Sequence, residues 1–444
     1  MSPCFLKVAS VSYEGSLFGW EVHPDAKEAG LEATMSFGFH CSAGSLKAIA
    51  VSESGRWMVC GGMDERIHIF NVQENRAIGE LSSHSGAVSS LAFVGDTHLL
   101  SGSEDSTICI WRVHDWQCLH ILGGHKSGVN SIAVHPSGKI ALSASKDNTL
   151  KTWNLIHGRC AFTRRLRGPA DKVLWHSAGE HYLLVIGSEL QLYNIADNKV
   201  CAASFSFASR VNQAVFTNPG KNVASMQQMC IAAICDDKTL HIVDISGRKI
   251  SVDMTALLDG SRARDMWSCR AASVGGEEMR EAMQDEGDSL AIVTSNGLLT
   301  ILSCNALVQS SERGEQGEEE TGIAHAVQST TQITAQPRLT AVVSWSPFTS
   351  QLKIAGAGAG VGAGAGAGAG TGADGAASAP PAGKVAATEG VAGKKRKAGK
   401  GHQQDAKVTK VRFDVAAAPE VRQAHAAVGK GKSKGKKGKD KGKE

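Results

Sequence analysis

Three stretches of this chain repeat one pattern of polar and aromatic residues about 42 residues apart. The second copy carries His84, Ser101, Asp105 and Trp111, and the third carries His125, Ser143, Asp147 and Trp153. The first copy is looser, with His40, Cys60, Asp64 and Phe70. Asp64, Asp105 and Asp147 are separated by 41 and 42 residues, and Phe70, Trp111 and Trp153 keep the same two intervals. A unit of this size cannot bury its own apolar faces, so its copies must stack on one another.

Each copy reads as short strands bounded by turns. "AVSSLAFVG" alternates apolar and polar residues; "HLLSGS" and "STICIWRV" follow, set off by Gly, Ser and Asp. "SEDS" is the tight turn between two of them, where an Asp carboxylate can accept from backbone amides. His upstream and Trp with a polar follower downstream, at this period, mark the blade of a WD-repeat propeller. Blade-closing positions continue through Trp20, Phe70, Trp111, Trp153, Tyr193, Val243 and Leu302, which makes seven. The last two intervals lengthen to 50 and 59 residues, so insertions belong there. Two acidic segments, 275–288 and 310–322, read as exposed loops. "RLTAVVSW" (Arg338 to Trp345) is a strand with no blade after it, and the N-terminal "LKVASVSY" and "SLFGWEV" are strands with too little before them. Pairing them removes the open edges of the array. The expectation is an all-β, seven-bladed WD-repeat β-propeller over residues 1–347, closed by its N- and C-terminal strands.

Composition then changes. Residues 348–393 are nearly pure Ala and Gly, a flexible spacer, and 394–444 is a Lys-rich tail expected to be disordered. The net charge of +4 hides a division: 18 Lys+Arg against 7 Asp+Glu from Gly356 onward, 29 against 36 before it. A mildly acidic body with a basic tail points to an acidic destination, such as RNA phosphates. Lys394, Lys395, Arg396 and Lys397 read as nuclear import or nucleic-acid contact, and a tail that only keeps the chain soluble is the plainer alternative. "KVRFD" (Lys410 to Asp414) is a candidate short docking motif. A further cluster, Arg159, Arg164, Arg165, Arg167 and Lys172, is opposed only by Asp171. It reads either as a binding patch on the rim or as a solvated outer strand.

His84, Ser101 and Asp105 resemble a catalytic triad, but the third copy repeats them, and an enzyme rarely needs two. The alternative is structural. Loop His, strand Ser, turn Asp and strand Trp would form one buried hydrogen-bond chain, because the indole N–H only donates and buried polar groups need partners. No GxSxG, HExxH or CxxC pattern occurs, and "GKKRKAGKG" lacks phosphate-loop spacing. The 16 His show no paired metal-ligand spacing. No catalytic residue, cofactor or metal is expected. The 11 Cys are scattered singly and read as reduced core thiols of the cytosol or nucleus. No signal-peptide pattern and no run near the ~20 apolar residues of a membrane span is present, so an intracellular chain without membrane or small-molecule substrate is expected.

The segment from Leu99 to Thr163, with "VLWHSAGEHYLLVI" after it, resembles the p21-activated-kinase-interacting-protein-like family of WD-repeat proteins. "DWQCL", "HPSGK-ALS" and "TWNL-GRCAFT" carry the likeness, and "SYEGSLFGWEV" and "RLTAVVSW" are similar to that family's ends. The resemblance implies a nucleolar, nuclear factor in assembly of the large ribosomal subunit and pre-rRNA processing. Its partners would be pre-ribosomal proteins and rRNA, with the chain a monomer in a larger particle. It also implies binding and inhibition of a p21-activated kinase. The family offers no catalytic residues to transfer. The chain departs from the pattern at Glu189, where a turn Asp is expected, and at "TSNGLLTIL", which has neither Asp nor Trp. An enzyme built on such a ring would need an acid-rich channel mouth, which the blade sequences do not demand.

Overall fold

A computed structural model describes residues 6–24, 31–196, 201–219, 229–258, 260–269, 287–315, 327–332 and 337–345. The Ala-Gly segment, the Lys-rich tail with Lys394 to Lys397, residues 275–286 and residues 316–322 lie outside the described residues.

The period-2 runs become strands, four to a blade. Blade I holds β1 (Leu6–Ser12), β2 (Ser16–Pro24) and β3 (Leu31–His40). Blade II holds β4 (Leu46–Val51), β5 (Trp57–Gly62), β6 (Arg66–Asn71) and β7 (Arg76–Ser82). Blade III holds β8 (Val88–Val94), β9 (His98–Ser103), β10 (Ile108–Arg112) and β11 (Gln117–Leu122). Blade IV holds β12 (Val129–Val134), β13 (Ile140–Ser145), β14 (Thr149–Asn154) and β15 (Arg159–Arg165). Blade V holds β16 (Lys172–Trp175), β17 (His181–Ile186), β18 (Glu189–Asn194) and β19 (Cys201–Ser206). Blade VI holds β20 (Val211–Thr217), β21 (Cys230–Cys235), β22 (Thr239–Asp244) and β23 (Lys249–Asp253). Blade VII holds β24 (Ala263–Cys269), β25 (Ser289–Thr294), β26 (Leu298–Ser303) and β27 (Val327–Gln332). The last strand, β28 (Leu339–Trp345), returns to blade I and pairs antiparallel with β1, Lys7 facing Trp345 and Val11 facing Ala341. Seven four-stranded antiparallel sheets result, and the ring is closed by the two chain ends.

Trp20, Phe70, Trp111, Trp153, Tyr193, Val243 and Leu302 all fall on the third strand of their blades and are all buried. Apolar packing runs between blades rather than within one. Trp111, Cys109 and Leu99 of blade III pack with Val59, Ile67 and Ile69 of blade II. One expectation is corrected. Ser310 to Glu315 are not loop but the end of a helix, α1 (Cys304–Glu315). Its first turns place Cys304, Leu307 and Val308 on one stripe, and all three are buried in the core between blades VI and VII.

The innermost strands are laced to one another around the axis. Ser89 Oγ donates to the Val129 carbonyl at 2.5 Å, and Ser90 Oγ accepts the Ile132 amide at 3.0 Å. Asn130 donates to the Ala170 carbonyl and Asn212 to that of Ala263, at 2.9 and 3.0 Å. Asp265 is the hinge of this belt. It accepts from Gln213 of blade VI and, at 2.9 Å, from the Val342 amide of the closing strand. Thr340 carries the belt on to the Leu46 carbonyl of blade II at 2.7 Å. Outside the same seam, Arg338 makes an ion pair with Glu14 at 2.8 Å, both side chains well exposed.

The two fastenings of the seam differ in worth. Asp265 is 6% exposed, so Asp265→Ala leaves a buried amide and carboxamide unpaired and is expected to cost about 2–4 kcal/mol. Arg338→Ala breaks an exposed pair and is expected to cost less than about 1 kcal/mol. Urea denaturation of the two variants checks the ordering; equal costs would overturn it.

Candidate functional site

Blades III and IV carry two copies of one hydrogen-bond chain, on the face where the innermost strands begin. In blade III, His84 Nδ1 lies 3.0 Å from Asp105 Oδ2 and its Nε2 lies 2.8 Å from Ser101 Oγ. Trp111 donates its indole N–H to the same Ser101 Oγ at 2.8 Å. In blade IV the distances are 3.1 Å for His125–Asp147, 2.7 Å for His125–Ser143 and 2.8 Å for Trp153–Ser143. One proton arrangement satisfies every member: indole to Ser oxygen, Ser hydroxyl to Nε2, and Nδ1–H to carboxylate. The two His side chains are 1% and 0% exposed. Such a chain has no face left for a substrate.

The carboxylates are further held by their own turns. Asp105 accepts the Ser85 amide at 3.0 Å, the Thr107 amide at 2.8 Å and the Thr107 hydroxyl at 2.7 Å. Asp147 accepts the Lys126 and Thr149 amides and the Thr149 hydroxyl at 2.8, 2.9 and 2.6 Å. The residue between Asp and Thr turns left-handed, with φ of 71° at Ser106 and 60° at Asn148. Burial would raise the Asp147 carboxyl, but the donors from Thr149, Lys126 and His125 outweigh it and hold it at about 2. Asp105 is shifted the same way, burial again being outweighed by His84, Thr107 and the Ser85 amide. Burial also lowers the His125 pKa, more than Asp147 raises it.

The first copy is built differently from its sequence reading. His40 ends β3 and lies 3.3 Å from Ser16 Oγ, away from Asp64. Ser42 stands where His84 and His125 stand, four residues ahead of the inner strand. Asp64 instead meets His68 four residues on, Oδ2 to Nε2 at 2.6 Å. The physical reason is reach: with a short Ser in the loop, the turn Asp is satisfied from its own third strand. Blade VI repeats the logic unannounced. Asp237 accepts the Thr239 hydroxyl at 2.6 Å, and Thr239 lies 2.9 Å from His241, which occupies the position of His68. The signal was present, since Asp237-Lys238-Thr239 matches Asp105-Ser106-Thr107 and Asp147-Asn148-Thr149, with φ of 67° at Lys238. In blade V, Tyr193 replaces Trp and gives its hydroxyl to Gln191 at 2.9 Å, which bonds Glu189 at 3.0 Å.

The basic cluster is not one patch on one strand. Arg159, Arg164 and Arg165 lie on β15, the outermost strand of blade IV, with Arg167 exposed just after it. Arg164 is pinned over the Tyr193 ring at 4.4 Å and donates to the Tyr182 hydroxyl at 3.0 Å. Lys172 begins β16, the innermost strand of blade V, and is separated from the others by the blade connection.

The ring encloses a cavity of about 740 Å³ at the opposite face, where the innermost strands end. Phe93, Trp175, Trp267 and Trp345 line it, from four different blades. Among the described residues no group of His, Cys, Asp or Glu is arranged to hold a metal ion, every described cysteine is a free thiol, and no helix is long and apolar enough to cross a membrane.

Two outcomes follow from the hydrogen-bond chains. Asp105→Ala is expected to lose about 2–4 kcal/mol, since it strands buried donors; an unchanged melting curve would count against the chain. The second is acid lability. The unfolded Asp147 carboxyl binds a proton near 3.8 and the folded one at about 2. Its contribution is therefore complete above about pH 5 and drains away as pH falls towards 2. Between pH 7 and pH 3, Asp147→Asn is expected to lose less of its melting temperature than the parent chain does.

A family model, WD domain, G-beta repeat, matches residues 32–71, 75–112 and 116–154. Each match takes the outermost strand of one blade and the first three of the next, the offset that the closing strand requires. The Danio rerio p21-activated protein kinase-interacting protein 1-like is 34% identical over 262 residues, 58% of this chain and 67% of that protein. The human p21-activated protein kinase-interacting protein 1 is 31% identical over 313 residues, 67% of this chain and 76% of that protein. Protein MAK11 of Saccharomyces cerevisiae is 32% identical over 199 residues, 40% of this chain and 48% of that protein. With this likeness spread over a seven-bladed ring, the chain belongs to the p21-activated protein kinase-interacting protein 1-like family of WD-repeat proteins.

Proposed function

We propose that this chain is a non-catalytic docking scaffold in nucleolar assembly of the large ribosomal subunit, acting in pre-rRNA processing. The observation that carries the reading is that the His, Ser and Asp groups able to do chemistry are closed on one another inside blades III and IV. What remains is a rigid ring with two faces, the form of a binding platform. Membership in the family supports the ribosomal setting. So does the surplus of 18 Lys+Arg over 7 Asp+Glu from Gly356 onward, which suits salt-dependent contact with RNA phosphate. On this reading residues 1–347 dock pre-ribosomal proteins, 348–393 act as a spacer, and 394–444, with Lys394, Lys395, Arg396 and Lys397, hold rRNA. Arg159, Arg164, Arg165 and Arg167 offer a secondary basic contact at the rim.

A second reading is favoured by the names of the relatives, which are called p21-activated protein kinase-interacting. Here the ring captures and restrains such a kinase, and the tail is dispensable. The two readings part in one experiment, in which the full chain and a truncation after Pro347 are localised and sedimented on gradients. Nucleolar, particle-bound full chain with loss of both on truncation is the expected result. A full chain that is wholly cytosolic and particle-free, with kinase capture unaffected by truncation, would overturn the ribosomal reading.

A further inference from the structure

We propose that the aromatic mouth of the central cavity is a receptor for a basic side chain, arginine best, presented on a loop of a partner protein. This inference is independent of which assembly the partner belongs to. The central fact is Trp267. It stands two residues past the bulge of β24, the register held by Ala50, Ala92 and Ala133 in β4, β8 and β12. All four residues line the cavity. Three blades fill the register with a methyl group, while the fourth places an indole there and leaves it 39% exposed. A half-exposed Trp in a concave, otherwise apolar wall is the side chain most often found to carry binding energy.

Trp267 does not act alone. Phe93, Trp175 and Trp345 join it from three other blades, so the mouth presents π faces from several directions. Trp175 is held in place, edge-on to His135 at 4.8 Å and to Tyr182 at 5.4 Å. Such pinned rings lose little freedom on binding.

The charge of the lining selects among occupants. It contains one carboxylate, Glu53, and neither Lys nor Arg. Its one imidazole, His135, is engaged by the Gly179 carbonyl at 3.1 Å and Ser137 at 2.8 Å. An anionic side chain would meet only ring faces and a like charge. A neutral apolar one would leave Glu53 without benefit. A guanidinium stacks on indole faces and pairs with a carboxylate, so it uses both features together. The acidic balance of residues 1–355, 29 Lys+Arg against 36 Asp+Glu, draws a cation in the same direction.

The test uses the full chain and three small probes at millimolar concentration: N-acetyl-arginine methylamide, its citrulline isostere and its leucine counterpart. Binding is read by saturation-transfer NMR and by tryptophan fluorescence. The arginine probe is expected to bind about fivefold more tightly than citrulline. Trp267→Ala, which restores the residue of three sister blades, should abolish that binding with the circular dichroism spectrum unchanged. Should that variant fail to fold, Glu53→Gln gives the second reading, with the arginine preference over citrulline reduced. Equal binding of arginine and citrulline, tighter binding of leucine, or no binding of any probe would overturn the proposal.

Discussion

The antiparallel pairing of β28 with β1 is the contact on which the molecule depends. Every other blade receives its innermost strand from the chain immediately before its second. Blade I alone must obtain it from more than 300 residues away. Without that strand, Asp265 loses the Val342 amide and Thr340 cannot reach Leu46, so the inner belt opens at two neighbouring junctions. The belt in turn keeps the innermost strands at a fixed distance, and that spacing defines the cavity they enclose. Closure therefore precedes any binding face as a matter of geometry.

Much of this architecture was legible in the chain. The third strand of each blade could be followed even where Trp gave way to Tyr, Val or Leu, because the flanking alternation survives the substitution. The network of blades III and IV was legible for the same reason, since all four members recur at fixed spacing. His40 misled because spacing alone cannot tell a loop His from one that ends the preceding strand. Asp237 went unnoticed because its blade lacks the Trp that draws the eye, although the short Asp-x-Thr turn was in plain view. The helix from Cys304 was hidden by its acidic continuation, which masked a stripe of only three buried side chains. The cavity could not have been read at all, as its rings come from strands far apart in sequence and meet only after closure.

The blades also show that the fold asks for satisfied turns rather than for particular residues. Blades III and IV satisfy the turn Asp through the loop His; blade II does so through His68. Blade V abandons the Asp for a Tyr193, Gln191 and Glu189 series. What is constant is that a buried polar group finds a partner. The histidines are fasteners, and their chemistry is spent on one another.

The seam has one more consequence. Lys7 and Trp345 face each other across adjacent strands, so the beginning and end of the ring are neighbours held by backbone bonds alone. The disc thus has no inherent starting point. A chain joined covalently there and reopened at an exposed hairpin elsewhere would present the same circular order of sheets, differing only in which gap is left unspanned by a peptide bond.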